Sequence, residues 1–250
     1  MRKSVPMMIG AAALGLAGTA ATPASAQIAG LSANAAVTTN YVFRGISQSG
    51  GALAVQAGVD YAFGDTGLAI GAWASSIDFG NANGEDTQAE VDLYGSYTLA
   101  ITDAFGLVVG GITYNYPSSP TGVNYNWYEV YGGLSYNFGV ASINGRIYYS
   151  PDYVNLSTSQ IYFTGGVSAP ILPWLTLNAN IGYSTFDHAV YPIIDDYLDW
   201  NISAVATYDN FSLTLGYTDT DLSDDYEVDT GPFQTTGQFY AMIGFRLPAP

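Results

Sequence analysis

"TQAEVDLYGSYTL", residues 87–99, alternates without a break. Ala89, Val91, Leu93, Tyr97 and Leu99 fall on one face, and Gln88, Glu90, Asp92, Ser96 and Thr98 on the other. A helix would repeat every 3.6 residues; this stretch repeats every two, so it is a strand with one apolar and one polar side. Three further stretches keep the same period. In "ASINGRIYY" (141–149) Ile143, Ile147 and Tyr149 oppose Ser142, Asn144 and Arg146. In "LTLNANIGYS" (175–184) Leu175, Leu177, Ile181 and Tyr183 oppose Thr176, Asn178, Asn180 and Ser184. In "LDWNISAVATY" (198–208) Leu198, Trp200, Ile202 and Tyr208 oppose Asp199, Asn201 and Ser203.

Extending this reading along the chain predicts about twelve strands. They lie near 33–45, 52–63, 68–79, 87–99, 105–116, 127–138, 141–150, 160–169, 175–186, 197–208, 211–218 and 236–247. Connections alternate between short ones such as "GDTG", "ITDA" and "DN", and long polar ones such as "ISQSGG", "PSSPTGVNYN" and "DTDLSDDYEVD". Two segments, "LAIGAWASSIDF" and "GLVVGGITYNY", are apolar on both faces. A bulge or a crowded interior would explain them, and their register stays open.

Composition decides what the apolar faces meet. The 250 residues include no cysteine, 10% charged residues, 29 glycines and 21 tyrosines. Soluble domains carry about 25% charged residues, and the polar faces here hold mainly Gly, Ala, Ser, Thr and Asn, too few charges for a soluble exterior. Residues 1–26 have a basic head (Arg2, Lys3), a short apolar run and small residues at Ala24 and Ala26, the pattern of a cleaved secretory signal. The mature domain, 27–250, keeps Arg44, Arg146 and Arg246 against 21 acidic residues, a formal charge of −18. That balance excludes nucleic acid as a partner, because phosphate binding needs clustered cations. No run reaches the length of an apolar membrane helix. The expectation is an all-β transmembrane barrel, antiparallel and up-and-down, with short turns toward the periplasm and long loops outside. Tyr41 with Phe43, Tyr61 with Phe63, Tyr136 with Phe138, and Tyr208 with Phe211 lie near strand ends, where they would form aromatic girdles facing lipid.

At "NYVFRGISQSGGALAVQAGVDY" (40–61) the chain resembles the TorF family of proteobacterial outer-membrane proteins. The similarity continues in "GAWASSIDF" (71–79) and "EVDLYGSYT" (90–98). The resemblance implies a signal peptide, an outer-membrane β-barrel and a role in passage. It brings no substrate and no site residue. Outer-membrane barrels commonly finish on an aromatic residue read by the barrel-assembly machinery, whereas here Phe245 is followed by "RLPAP".

Candidate functional residues come from strand parity. The inward face collects Asp60, Glu90, Asp92, Glu129 and Asp199 with Arg44 and Arg146 as pore-lining residues. Acidic rings favour cations in a narrow pore, and sparse arginines set a constriction. The expected function is a passive channel for small polar solutes with a mild preference for cations or neutral molecules. The alternative is a non-conducting barrel acting in adhesion or envelope structure through its acidic loops. Arg44 has two readings, a structural partner for an interior carboxylate or a constriction residue. An arginine facing lipid at mid-depth would cost about 2–4 kcal/mol, and parity turns Arg44 inward.

Catalysis is not expected. The one histidine, His188, lies in a predicted loop, and no nucleophile elbow occurs. No cofactor is expected. Asp219, Asp221, Asp224, Asp225, Glu227 and Asp229 form an acidic run that admits three readings: a solvated loop, a divalent-cation bridge to lipopolysaccharide, or a Ca²⁺ site. The EF-loop order with its central glycine is missing. Expected partners are therefore outer-membrane lipid, lipopolysaccharide and small solutes, in a Gram-negative outer membrane.

Overall fold

Alternation of period two puts every second side chain on the same side of a sheet, and twelve such segments joined by hairpins roll into one closed wall. A computed structural model of the chain describes residues 29–82, 85–189, 195–222 and 233–247. The proposed signal segment lies outside these residues. The barrel strands are β1 (Leu31–Thr38), β2 (Ala54–Ala62), β3 (Leu68–Ser76), β4 (Ala89–Ala100), β5 (Phe105–Asn115) and β6 (Trp127–Asn137). They continue with β7 (Ser142–Ser150), β8 (Gln160–Leu172), β9 (Leu175–Phe186), β10 (Tyr197–Tyr208), β11 (Phe211–Thr220) and β12 (Gln238–Leu247). Each pairs antiparallel with its neighbours in sequence, and β1 pairs with β12 from Ala33↔Leu247 to Thr38↔Met242. Closure leaves no sheet edge unpaired, which is the condition for crossing a bilayer with strands.

Outward-facing Leu93, Val130, Ile147, Ile181, Ile202 and Leu215 are each more than half exposed. A soluble protein would bury such side chains. Here they form an apolar belt around a transmembrane barrel. Inward positions carry Asn, Ser, Thr, Gly and the carboxylates of the parity reading.

The two segments of open register run without a bulge, and their apolar inward residues are packing. Trp73 of β3 and Ile112 and Tyr114 of β5 are all buried inside the barrel. The register shift that does occur lies in β8, between Pro170 and Leu172, where proline cannot donate to the ladder. β8 thereby runs three residues past its predicted end at 169 and turns at Pro173–Trp174.

The girdle at the short-turn end matches expectation. Phe63, Tyr136, Phe138, Tyr208 and Phe211 are exposed, and Phe211 packs on Phe245 at 5.1 Å. Tyr41 and Phe43 do not belong to a girdle. The wall strand β1 ends at Thr38 rather than near residue 45, and the chain then turns into the barrel. Tyr41 is 4% exposed and meets Trp73 edge-on at 5.4 Å, while Phe43 packs on Tyr114 and Trp127. At the long-loop end the outward aromatics include Tyr128, Tyr149, Phe163, Tyr183 and Phe239.

Candidate functional site

Residues 39–53, between β1 and β2, form a strap across the lumen. Its tip is a small hairpin in which Val42 and Phe43 pair with Ile46 and Ser47. Arg44 and Gly45 occupy the two turn positions at φ +49° and +81°, as a two-residue turn of the left-handed type requires. Glycine takes this backbone freely, whereas arginine there costs on the order of 1–2 kcal/mol. The contacts of the Arg44 side chain offset that cost.

Its Nη2 donates to both carboxylate oxygens of Glu129 on β6, each at 2.7 Å, and its Nη1 donates to Gln160 Oε1 on β8 at 2.7 Å. The Arg44 side chain is 5% exposed and that of Glu129 is fully enclosed. The guanidinium also lies over the Tyr162 ring at 4.0 Å, with Phe43 at 4.7 Å and Tyr148 at 5.5 Å. Breaking a buried pair of this kind on one side typically costs about 3–5 kcal/mol, because the remaining charge is stranded.

The strap is fastened from several directions. The Ser47 N–H donates to the Gln234 carbonyl at 2.8 Å, and the Asp78 N–H donates to the Gln48 carbonyl at 2.8 Å. The Asn40 side chain donates to Gln238 of β12, and Ser47 Oγ donates to Asn40 Oδ1 at 2.7 Å. β1 and β7 stand opposite one another in a ring of twelve, so a segment leaving β1 and reaching β6 and β8 spans the full width of the lumen.

All the inward carboxylates at the long-loop end surround this strap. Glu90 and Asp92, two residues apart on β4, interact electrostatically with Tyr41. Glu129 takes Arg44 and the Tyr114 hydroxyl at 2.9 Å. Asp199 of β10 accepts from the Tyr162 hydroxyl at 3.2 Å and lies against Gly45, where an added Cβ would stand 3.0 Å from that of Asp199. Glu90, Asp92, Glu129 and Asp199 are all at most 2% exposed, and Gln160 is fully buried. Glu90 Oε2, Asp92 Oδ1 and Asp199 Oδ2 have no hydrogen-bond partner.

The remaining parity residues stand apart from this cluster. Asp60 lies nearer the short-turn end and accepts from the Tyr94 hydroxyl at 2.6 Å. Arg146 sits at mid-strand on β7, half-buried, with Nη1 3.3 Å from the Tyr148 hydroxyl. Parity accounts for the side chains of the wall strands; Arg44, expected on the first of them, instead reaches Glu129 from the strap across the barrel. Nor does parity alone single out Gln160, Tyr114 and Tyr162, whose positions on the carboxylate-bearing face are the available signal.

His188 is exposed and pairs with Asp196 at 2.9 Å. Asp196 also accepts from the Phe186 N–H at 2.9 Å and the Thr185 hydroxyl at 2.8 Å. Partial burial pushes its carboxyl up, but these donors outweigh that and hold it below its ordinary value. The His188–Asp196 contact fastens this loop to the end of β9. Of the acidic run, Asp219 accepts from the Tyr217 hydroxyl at 3.1 Å and Asp221 accepts from the Leu198 N–H at 2.6 Å. Asp224, Asp225, Glu227 and Asp229 lie outside the described residues. Among the described residues no group of His, Cys, Asp and Glu is arranged to hold a metal.

The architecture is shared with solved porins. A structure described as "KdgM porin" superposes with a TM-score of 0.57 at 11% identity, over 86% of this chain and 98% of its own. One described as "NanC porin structure" gives 0.57 at 14% identity, over 87% and 100%. A KdgM porin described as being in complex with disordered oligogalacturonate gives 0.55 at 10% identity, over 86% and 97%. At such identities the likeness is one of fold. No curated protein matches the chain by sequence. A bacterial family described as protein of unknown function (Gcw_chp) matches residues 20–243, nine-tenths of the sequence, and the chain belongs to that family.

Proposed function

We propose that the protein is a passive outer-membrane channel for small polar solutes, with a mild preference for cations or neutral molecules. The observation that carries this reading is the inner wall. Alongside its aromatic residues it carries carboxylates at Asp60, Glu90, Asp92, Glu129 and Asp199, which outnumber the arginines that face the lumen, and one of these, Arg44 of the strap, is already taken by Glu129. Acidic linings concentrate cations and repel anions in a low-dielectric pore. The porin fold and the resemblance of residues 40–61 to the TorF family support passage across the outer membrane.

The related KdgM structure holds oligogalacturonate, an anionic oligosaccharide. A wall with this excess of carboxylates suits such a ligand poorly, so the substrate class differs although the barrel is alike. A second reading is a non-conducting barrel acting through its acidic loops. It is favoured by the closure of the lumen at the strap.

Planar-bilayer recording separates the two. Discrete steps whose reversal potential in a salt gradient lies on the cation side support the channel. Absence of steps at any voltage, or strong anion preference, overturns it.

A further inference from the structure

The strap has two properties that belong together. It closes the lumen, and its one cation sits among the carboxylates that would give the lumen its selectivity. Four inward carboxylates at this level are covered by a segment carrying a single guanidinium. Three of their oxygens are buried without a partner. Enclosing carboxyl oxygens without partners is costly, and hydration would relieve that cost. The closed arrangement is thus favoured by the Arg44–Glu129–Gln160 contacts and by aromatic packing, and opposed by the stranded carboxylates around them.

We propose that residues 39–53 are a gate, and that Arg44 is both its latch and the mask of a cation filter formed by Glu90, Asp92, Glu129 and Asp199. This rests on the channel reading above. When the strap withdraws, Arg44 leaves with it, and the four carboxylates face water together with no cation among them. Opening and selectivity are then a single event: a pore opened this way starts as a ring of negative charge. The ligand class of the filter is a small hydrated cation or a cationic organic solute.

The strap begins and ends on adjacent strands, so its withdrawal leaves the twelve-strand wall intact. Its tip hairpin pairs only with itself, and the strap meets the wall through side-chain contacts and isolated backbone hydrogen bonds rather than a ladder.

The test uses the full-length, cysteine-free chain with two readouts. In planar bilayers Arg44→Ala raises the open fraction roughly tenfold or more, the factor expected on losing a charge-assisted contact. Glu129→Gln also raises it, to a smaller extent. The two variants then diverge: cation preference is stronger in Arg44→Ala, which keeps all four carboxylates, than in Glu129→Gln, which has lost one.

The second readout needs no conduction. Ser184, inward on β9 and fully buried beside Gln160, is replaced by cysteine and labelled with a membrane-impermeant thiol reagent. Labelling is slow in the otherwise native chain and accelerates with Arg44→Ala; heat-modifiable electrophoretic mobility verifies that each barrel is folded. If Arg44→Ala does not fold, Glu129→Gln carries both readouts. Unchanged labelling and unchanged open fraction overturn the gate while leaving the channel standing. Accelerated labelling with no conductance in any variant overturns the channel, and the gate with it.

Discussion

At the long-loop end of the barrel the inward side chains include Trp73, Tyr114, Trp127 and Phe186, all buried. At the short-turn end they include Asn34, Ser135, Asn178 and Ser203, partly or wholly open to water, beside small buried residues such as Ala69, Val205, Ser212 and Thr214. The wall around them is the same: the same antiparallel ladder, the same apolar exterior, the same alternation. One end is filled with aromatic rings and the other is lined mainly by small and polar side chains. The contrast shows that a barrel wall does not specify its contents. The wall follows from alternation alone, while the filling depends on which residues share the inward parity and on what a loop brings to meet them.

The largest test of that contrast lies in the packed end. Trp127 stacks on Tyr114 at 4.1 Å and touches Tyr153 at 4.8 Å. Trp127→Ala is expected to destabilise the barrel by about 3–5 kcal/mol, as buried tryptophan truncations do, measured by urea-dependent unfolding in micelles. A loss below ~1 kcal/mol would mean that the outer half is not a core.

A paired substitution sharpens the difference between wall and interior. Ile202, outward on β10 and 52% exposed, faces lipid. Asn178 lies inward near the short-turn end and is partly exposed. Ile202→Arg is expected to cost about 2–4 kcal/mol in bilayers if the residue lies near mid-depth, whereas Asn178→Arg stays within ~0.5 kcal/mol. Equal costs would contradict the assignment of faces.

Much of this is legible in the sequence. Alternation predicts twelve strands, most within a residue or two of those observed, and parity sends Glu90, Asp92, Glu129 and Asp199 inward, whereas Arg44 faces the interior from a turn and not from the wall strand assumed for it. What escaped was the end of β1. "NYVF" continues the alternation of "AAVTT", so nothing in period two marks the point at which the chain leaves the wall. Tyr41 and Phe43 look alike whether an aromatic ring meets lipid or an interior. Two signals were present nonetheless. Gly45, Gly50 and Gly51 all adopt positive φ and punctuate residues 39–53 as a loop. Tyr114, Trp127 and Tyr162 share parity with the carboxylates, which foretells a filled interior. The ion pair of Arg44 with Glu129 depends on the closure of the ring, a property no local window contains.

The smallest expected effect lies at the rim, where Asp196 gathers Phe186, Thr185 and His188. Its carboxyl titrates below its ordinary value, so its contribution is present above the unfolded pKa of about 4 and fades as pH falls through the lower folded value. Because the site is largely exposed, that contribution is under ~1 kcal/mol. Asp196→Asn should lower stability slightly at neutral pH and leave it nearly unchanged at pH ~2, measured by denaturant unfolding at both values. A loss that persists undiminished in acid would show that the rim is held by something other than this charge.

The strap follows the first strand in the chain, yet its partners come far later: Glu129 lies 85 positions on and Gln160 lies 116. During biogenesis the segment is made early and has nothing to hold until β6 and β8 have taken their places in the wall. Seating is consequently a late step. The strap can close only once six or more strands stand in the ring, and that order of construction is written into the distance between an arginine and its glutamate.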